Sequence, residues 1–211
     1  LSQLWIKICG VTQSKDAEYV AALGVDAIGL VFYSKSSRAV SAKLLPRILG
    51  DVAGSISVVA LFVDPSKDEV NEVLDSGLVD LIQFHGNESE EFCSSFSKCY
   101  MKAIQVRNKT LSLKAAEKYS SAKYLLLDTY SEKVPGGTGK KFDWSIARDI
   151  IVETDRPIVL AGGLTPINVE HAISSVKPFG VDVSSGVELS AGKKDMSKLR
   201  MFVQGARSGR S

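Results

Sequence analysis

Val58-Val59-Ala60-Leu61-Phe62-Val63, followed by Asp64-Pro65-Ser66-Lys67-Asp68-Glu69-Val70, is the stretch whose reading decides the fold. Six apolar residues with no polar alternation read as a strand covered on both faces, the hallmark of a parallel sheet. The polar segment after it opens a helix. Pro65 and Ser66 start it, Asp68 and Glu69 sit in its first turn, and Val70, Val73 and Leu74 recur at helical spacing before Gly77. The same pattern recurs along the chain. Short apolar runs stand at Leu4–Cys9, Ala27–Phe32, Ser57–Val63, Leu81–His85, Met101–Val106, Tyr124–Asp128, Ile158–Ala161 and Val181–Ser184, eight in all.

Helix signals fill the gaps. Ser14 is a candidate N-cap and Gly24 a candidate left-handed stop for a helix over Ser14–Leu23. Glu88–Cys93, Leu113–Tyr119, Asp143–Ile151, Thr165–Ile173 and Lys198–Val203 supply others, with Pro166 placed at a first helical position. Eight strand–helix alternations argue for a (β/α)₈ barrel, a TIM barrel. An open doubly wound sheet fits less well, because no G-x-G-x-x-G turn follows the first strand. The 211 residues make this a near-minimal barrel with some helices shortened, since about 250 is typical. Arg107–Ser112 is the expected place for a helix replaced by loop, and residues 1–211 read as a single barrel domain.

Composition narrows the function. Lys+Arg is 26 and Asp+Glu 24, for a net charge of +2, and no run of about 18 apolar residues occurs. Neither nucleic acid nor membrane is an expected partner. Three cysteines and two histidines supply neither a disulfide framework nor a metal set, so no metal and no cofactor is expected. Sparse cysteine points to a reducing compartment, the cytoplasm, or a plastid if a targeting peptide was removed before Leu1. An upstream fused domain is left equally open.

In a barrel the active site lies at the C-terminal ends of the strands. The first strand ends in Cys9, either a base or nucleophile or a small buried hydrophobe. Arg38, in the loop after the second strand, is a candidate clamp for a carboxylate or phosphate, or a solvated charge. His85 closes the fourth strand as a titratable group or a structural one, whereas His171 reads as surface. Asp128 ends an all-apolar sixth strand, where burial suits a general acid. The glycines around Gly137 suit an anion contact or a moving lid. Gly162 and Gly163 after the seventh strand, with Ser184, Ser185 and Gly186 after the eighth, stand where barrels bind phosphate. An acid and a base without metal or redox groups suit isomerisation or proton abstraction beside a carbonyl or imine.

These residues also carry a resemblance. Lys7-Ile8-Cys9-Gly10, the Phe32–Arg38 loop, Leu61-Phe62-Val63, Gln83-Phe84-His85-Gly86, Leu127-Asp128, Gly136–Gly139 with Phe142-Asp143-Trp144, Leu160–Leu164, Asp182–Glu188 and Gly192–Asp195 fall in order along the chain. Together they resemble the phosphoribosylanthranilate isomerases of tryptophan biosynthesis. One departure is Ala191, where the family usually has proline before the glycine. The resemblance implies an Amadori rearrangement of N-(5′-phosphoribosyl)anthranilate to 1-(2-carboxyphenylamino)-1-deoxyribulose 5-phosphate. It implies Asp128 as general acid, Cys9 as general base, Arg38 on the anthranilate carboxylate, and the two glycine–serine turns on phosphate. The acid should hold its proton, and the Cys9 thiolate should be favoured by cations such as Lys7. The implied partner is a small phosphorylated substrate. The protein would be a monomer or homodimer, with fusion to or association with another tryptophan-pathway enzyme also open. Two competitors remain: the related histidine-pathway isomerase, which would carry aspartate at position 9, and a non-catalytic phosphate-binding barrel.

Overall fold

The computed structural model describes residues 3–129 and 143–210. Eight parallel strands close into a barrel in chain order: β1 (Trp5–Cys9), β2 (Ala27–Val31), β3 (Ser57–Phe62), β4 (Leu81–Phe84), β5 (Tyr100–Val106), β6 (Tyr124–Thr129), β7 (Ile158–Leu160) and β8 (Gly180–Val183), with β8 pairing back to β1. The helices between them are α1 (Ser14–Ala22), α2 (Leu45–Leu49), α3 (Lys67–Leu74), α4 (Glu90–Cys93), α5 (Lys109–Glu117), α6 (Trp144–Glu153), α7 (Val169–Val176) and, after β8, α8 (Met196–Ser208). No helix among the described residues is long and apolar enough to cross a membrane.

The decisive strand–helix unit folds as its residues dictate. Every residue of β3 after Ser57 is buried, and Ser66 caps α3 in a reciprocal box with Glu69. Gly24 ends the α1 segment at φ +65°, the left-handed stop expected of it. The cap in front of α1 is Gln13 rather than Ser14, and it makes no side-chain cap bond.

Two expectations about the helices need correction. The segment after β5 is not a loop: Asn108 caps α5 by accepting from the Leu111 amide at 2.9 Å. The shortened helices follow β2 and β4 instead, where α2 has five residues and α4 four. The second correction concerns Thr165-Pro166, which does not begin α7. Asn168 folds back to accept from the Thr165 amide at 2.8 Å, so residues 165–168 form a turn and the helix starts at Val169.

The barrel interior is layered. At the bottom Trp5, Tyr124 and Phe179 stack, with centroid separations of 5.4–6.4 Å. Above them Ala27, Val59, Leu81, Met101, Leu126 and Val159 form an apolar plug. A larger core fills the space between strands and helices. Towards the C-terminal ends the interior turns polar with Lys7, Gln83, His85, Asp128 and Asp182, all buried.

Candidate active site

A cavity of about 270 Å³ opens at the C-terminal ends of the strands. Cys9, Arg38, His85, Asp128, Gly162, Gly163, Ser184, Ser185 and Gly186 all line it. Of the residues singled out from sequence, Gly137 and its neighbours Gly136, Gly139 and Phe142 lie outside the described residues. His171 is exposed on α7, away from this group.

Alternation along β1 sends Lys7 and Cys9 inward together. Both have almost no exposure, and glycine on the neighbouring strand makes this crowding feasible. Gly29 pairs with Cys9, and a Cβ there would sit 2.7 Å from the Cys9 Sγ and 2.9 Å from the Lys7 Cε. The Lys7 ammonium donates to the Gln83 Oε1 at 2.8 Å and pairs with Asp182 at 2.8 Å. Burial opposes its charge, but Asp182 and Cys9 outweigh that, so its pKa is raised. The expectation that cations would favour the Cys9 thiolate holds only in part. Burial pushes the thiol up, and Asp182 adds to this; Lys7 and Lys194 pull the other way without reversing it.

The chain of contacts continues on β4. Gln83 and the following His85 are two residues apart and face the same side, with Gln83 Nε2 3.0 Å from His85 Nδ1. His85 Nε2 lies 3.1 Å from the Asp128 Oδ2 at the end of β6. Asp182, Lys7, Gln83, His85 and Asp128 thus form one unbroken line across the barrel. The turn after His85 is clamped from outside the barrel. Lys102 on β5 donates to the Gly86 carbonyl at 2.7 Å and pairs with Glu88 at 2.8 Å, while Glu88 accepts from the Gly86 and Asp64 amides.

Arg38 reaches the cavity wall, but a protein carboxylate already holds it. Its Nε and Nη2 donate to Glu188 at 2.7–3.1 Å in a fork. This contact raises the Arg38 pKa. Burial alone would raise the Glu188 pKa, yet Arg38 and Lys194 bring it below the ordinary value. Lys194 pairs with Glu188 at 2.9 Å and donates to the Cys9 carbonyl, so β1 is tied to the same cluster. Gly10, at φ +74°, packs against this guanidinium: a Cβ would stand 2.5 Å from the Arg38 Cδ. The loop at Ala191 is held by the Thr12 hydroxyl, which donates to the Gly192 carbonyl at 2.6 Å.

The two glycine–serine turns pack back to back. Gly162 and Gly163 have φ of +77° and +67°, so two successive left-handed residues turn the chain after β7. A Cβ on Gly186 would fall 1.9 Å from the Leu164 carbonyl oxygen, so only glycine lets the β8 turn press against the β7 turn. The result is a small-residue wall on one side of the cavity, opposite the acid–thiol pair in chemical character.

Comparison with known proteins gives this arrangement a family. The family model for N-(5′-phosphoribosyl)anthranilate (PRA) isomerase matches residues 6–205. The chain belongs to the N-(5′-phosphoribosyl)anthranilate isomerase family. A relative of that name from Pseudomonas fluorescens is 46% identical, covering 99% of this chain and 98% of its own. Among solved structures, the Thermotoga maritima isomerase superposes with a TM-score of 0.86 at 37% identity, covering 97% of this chain and 98% of its own. The isomerase in complex with reduced 1-(o-carboxyphenylamino)-1-deoxyribulose 5-phosphate gives 0.83 at 36% identity, with the same coverage.

Sequence reasoning names Lys7 only as a cation beside Cys9 and does not assign Gln83, Asp182, Glu188 or Lys194 to the site. The signal is there for three of these five. A lysine, a glutamine and an aspartate interrupt otherwise apolar strands at inward positions, where a buried polar group must find a partner. Glu188 and Lys194 sit beyond β8, in a short hairpin of β9 (Glu188–Ser190) and β10 (Lys193–Lys194) that no periodicity announces.

Proposed function

We propose that this cavity carries out the family's Amadori rearrangement, with Asp128 as general acid and Cys9 as general base. The observation that carries the reading is the shared lining: a buried carboxyl, a buried thiol and a double glycine–serine turn face one cavity. Asp128 protonates the furanose ring oxygen and the C1–O bond breaks to an imine. Cys9 removes the C2 proton, and the enolamine takes a proton at C1 as the C2 hydroxyl becomes a ketone. Atoms balance without a redox partner. The turns at 162–163 and 184–186 hold the phosphate on backbone N–H groups, and that remote binding orients the sugar. Glu188 grips the Nε and Nη2 side of Arg38, which leaves its Nη1 edge to meet the anthranilate carboxylate. Burial and Asp182 oppose deprotonation of Cys9, and Lys7 and Lys194 reduce that cost in part.

A solved relative from Thermotoga maritima is a dimeric isomerase of which monomers were made, which supports a monomer or homodimer as the working unit. A catalytic thiol, with Cys93 and Cys99 also unpaired, supports a reducing compartment such as the cytoplasm. The test is direct. Purified protein should consume N-(5′-phosphoribosyl)anthranilate with a fluorescence change, and its gene should rescue a tryptophan auxotroph lacking this step. Phosphate-ligand binding without turnover would instead favour a binding protein.

A further inference from the structure

We propose that Gln83, locked by Lys7, sets the tautomer of His85 and thereby aims its Nε2–H at the Asp128 carboxyl, positioning the catalytic acid. A lysine ammonium has donors only, so the group 2.8 Å from the Lys7 Nζ is the Gln83 carbonyl oxygen and the amide cannot turn over. Asp182 anchors the ammonium from the neighbouring strand, and Lys7 has no exposure to water through which a different protonation or partner could enter. The Gln83 NH₂ therefore faces His85 Nδ1 at 3.0 Å. An NH₂ only donates, so Nδ1 must present its lone pair and the ring proton sits on Nε2. That Nε2–H points at Asp128 Oδ2, 3.1 Å away, and donates to it. That bond occupies Oδ2 as an acceptor and fixes the orientation of the Asp128 carboxyl at the cavity.

Gln83 is 0% exposed and does not line the cavity, so it acts as a positioning residue through His85 rather than on substrate. Its role in catalysis rests on Asp128 being the acid; the tautomer assignment does not. A histidine forced into the wrong tautomer by loss of its orienting partner costs a serine protease about 10⁴-fold in kcat. Here His85 positions the acid without moving the proton itself, so a smaller loss of at least about tenfold is expected.

The test is nitrogen-15 NMR on histidine-labelled protein, where only His85 and His171 contribute signals. The wild type should show His85 Nε2 with the shift of a protonated ring nitrogen and Nδ1 with that of an unprotonated one. In Gln83→Glu an acceptor replaces the NH₂, so Nδ1 should gain a proton, and kcat should fall at least tenfold with KM nearly unchanged. Gln83→Met removes the bias, and the two nitrogens should move towards averaged shifts. A wild-type spectrum with the proton on Nδ1 overturns the assignment whether or not any variant folds. Gln83→Glu with an unmoved tautomer or wild-type kcat overturns it as well. Asp128→Asn is the separate arm: normal turnover there would overturn the catalytic half together with the function proposed above, and the spectrum alone would then speak to the tautomer.

Discussion

The lower and upper halves of the barrel interior are built from the same eight strands, yet they obey opposite rules. Below, Leu81, Met101, Leu126 and Val159 fill space over a stacked floor of Trp5, Tyr124 and Phe179. Each of these side chains gains by leaving water, and none needs a particular partner. One layer higher on the same strands stand Lys7, Gln83, His85, Asp128 and Asp182. Each of those loses by leaving water and stays only because a neighbour satisfies it. The plug can be altered residue by residue. The polar line fails wherever it is cut, because every member is both a donor or acceptor for the next and a fixed charge or dipole in a dry site. That asymmetry teaches where stability is spent to hold chemistry in place.

The sharpest way to break the comparison is at the two reactive groups that face the cavity. Cys9→Ser and Asp128→Asn should each lower kcat by about 10²- to 10⁴-fold while leaving the melting temperature near that of the wild type, because the asparagine carbonyl can still accept from His85 and the line is not cut. Steady-state kinetics beside thermal melts check this. Near-normal turnover in either purified variant would remove that residue from the chemistry.

A cut in the middle of the line should show up as lost stability. Lys7→Met strands Asp182 and the Gln83 carbonyl without their common donor, and breaking a buried pair in this way costs about 3–5 kcal/mol. Lys7→Met with Asp182→Leu should recover much of that loss, since an apolar replacement of both charges needs no partner, but activity should stay absent. Urea titration of the single and double variants checks the expectation. A double variant no more stable than the single would mean that the charges themselves hold the barrel together.

The plug gives the mirror image. Leu126→Ala should cost about 2–5 kcal/mol by urea denaturation, with kcat within a few-fold of the wild type under conditions where the protein is folded. A large fall in kcat would show that the two halves are coupled more tightly than their separate packing implies.

The same contrast explains what the sequence made legible. Apolar runs such as Val58–Val63 announce strands because burial on both faces leaves only one residue type there. Cys9 and Asp128 stand out because they end such runs. Lys7 and Gln83 are equally exceptional in their runs, but their meaning depends on a partner 76 positions away, and no local rule supplies it. Only the first turn of α5, after β5, escapes the sequence, for the opposite reason. Lys109-Thr110-Leu111-Ser112 has weak helical patterning, and the Asn108 cap is what secures it. Arg38 was legible as a cation at the mouth, whereas its fork with Glu188 arises only once the hairpin beyond β8 folds back.

The smallest expected effect tests that hairpin. Arg38 and Lys194 hold the Glu188 carboxylate below its ordinary pKa, so the charged form is favoured in the folded protein. A depressed folded-state pKa contributes stability that is fully present above the unfolded value, about 4.3, and is lost as pH falls through the lower folded one. Glu188→Gln removes that contribution. The melting temperatures of wild type and variant should therefore differ most at pH 6 and converge as the pH drops below about 4. At neutral pH the variant should also bind substrate more weakly with kcat less affected, because Arg38 loses the fork that aims it. If instead the gap widens on acidification, Glu188 is not held as the anion, and the hairpin stabilises the mouth by packing alone.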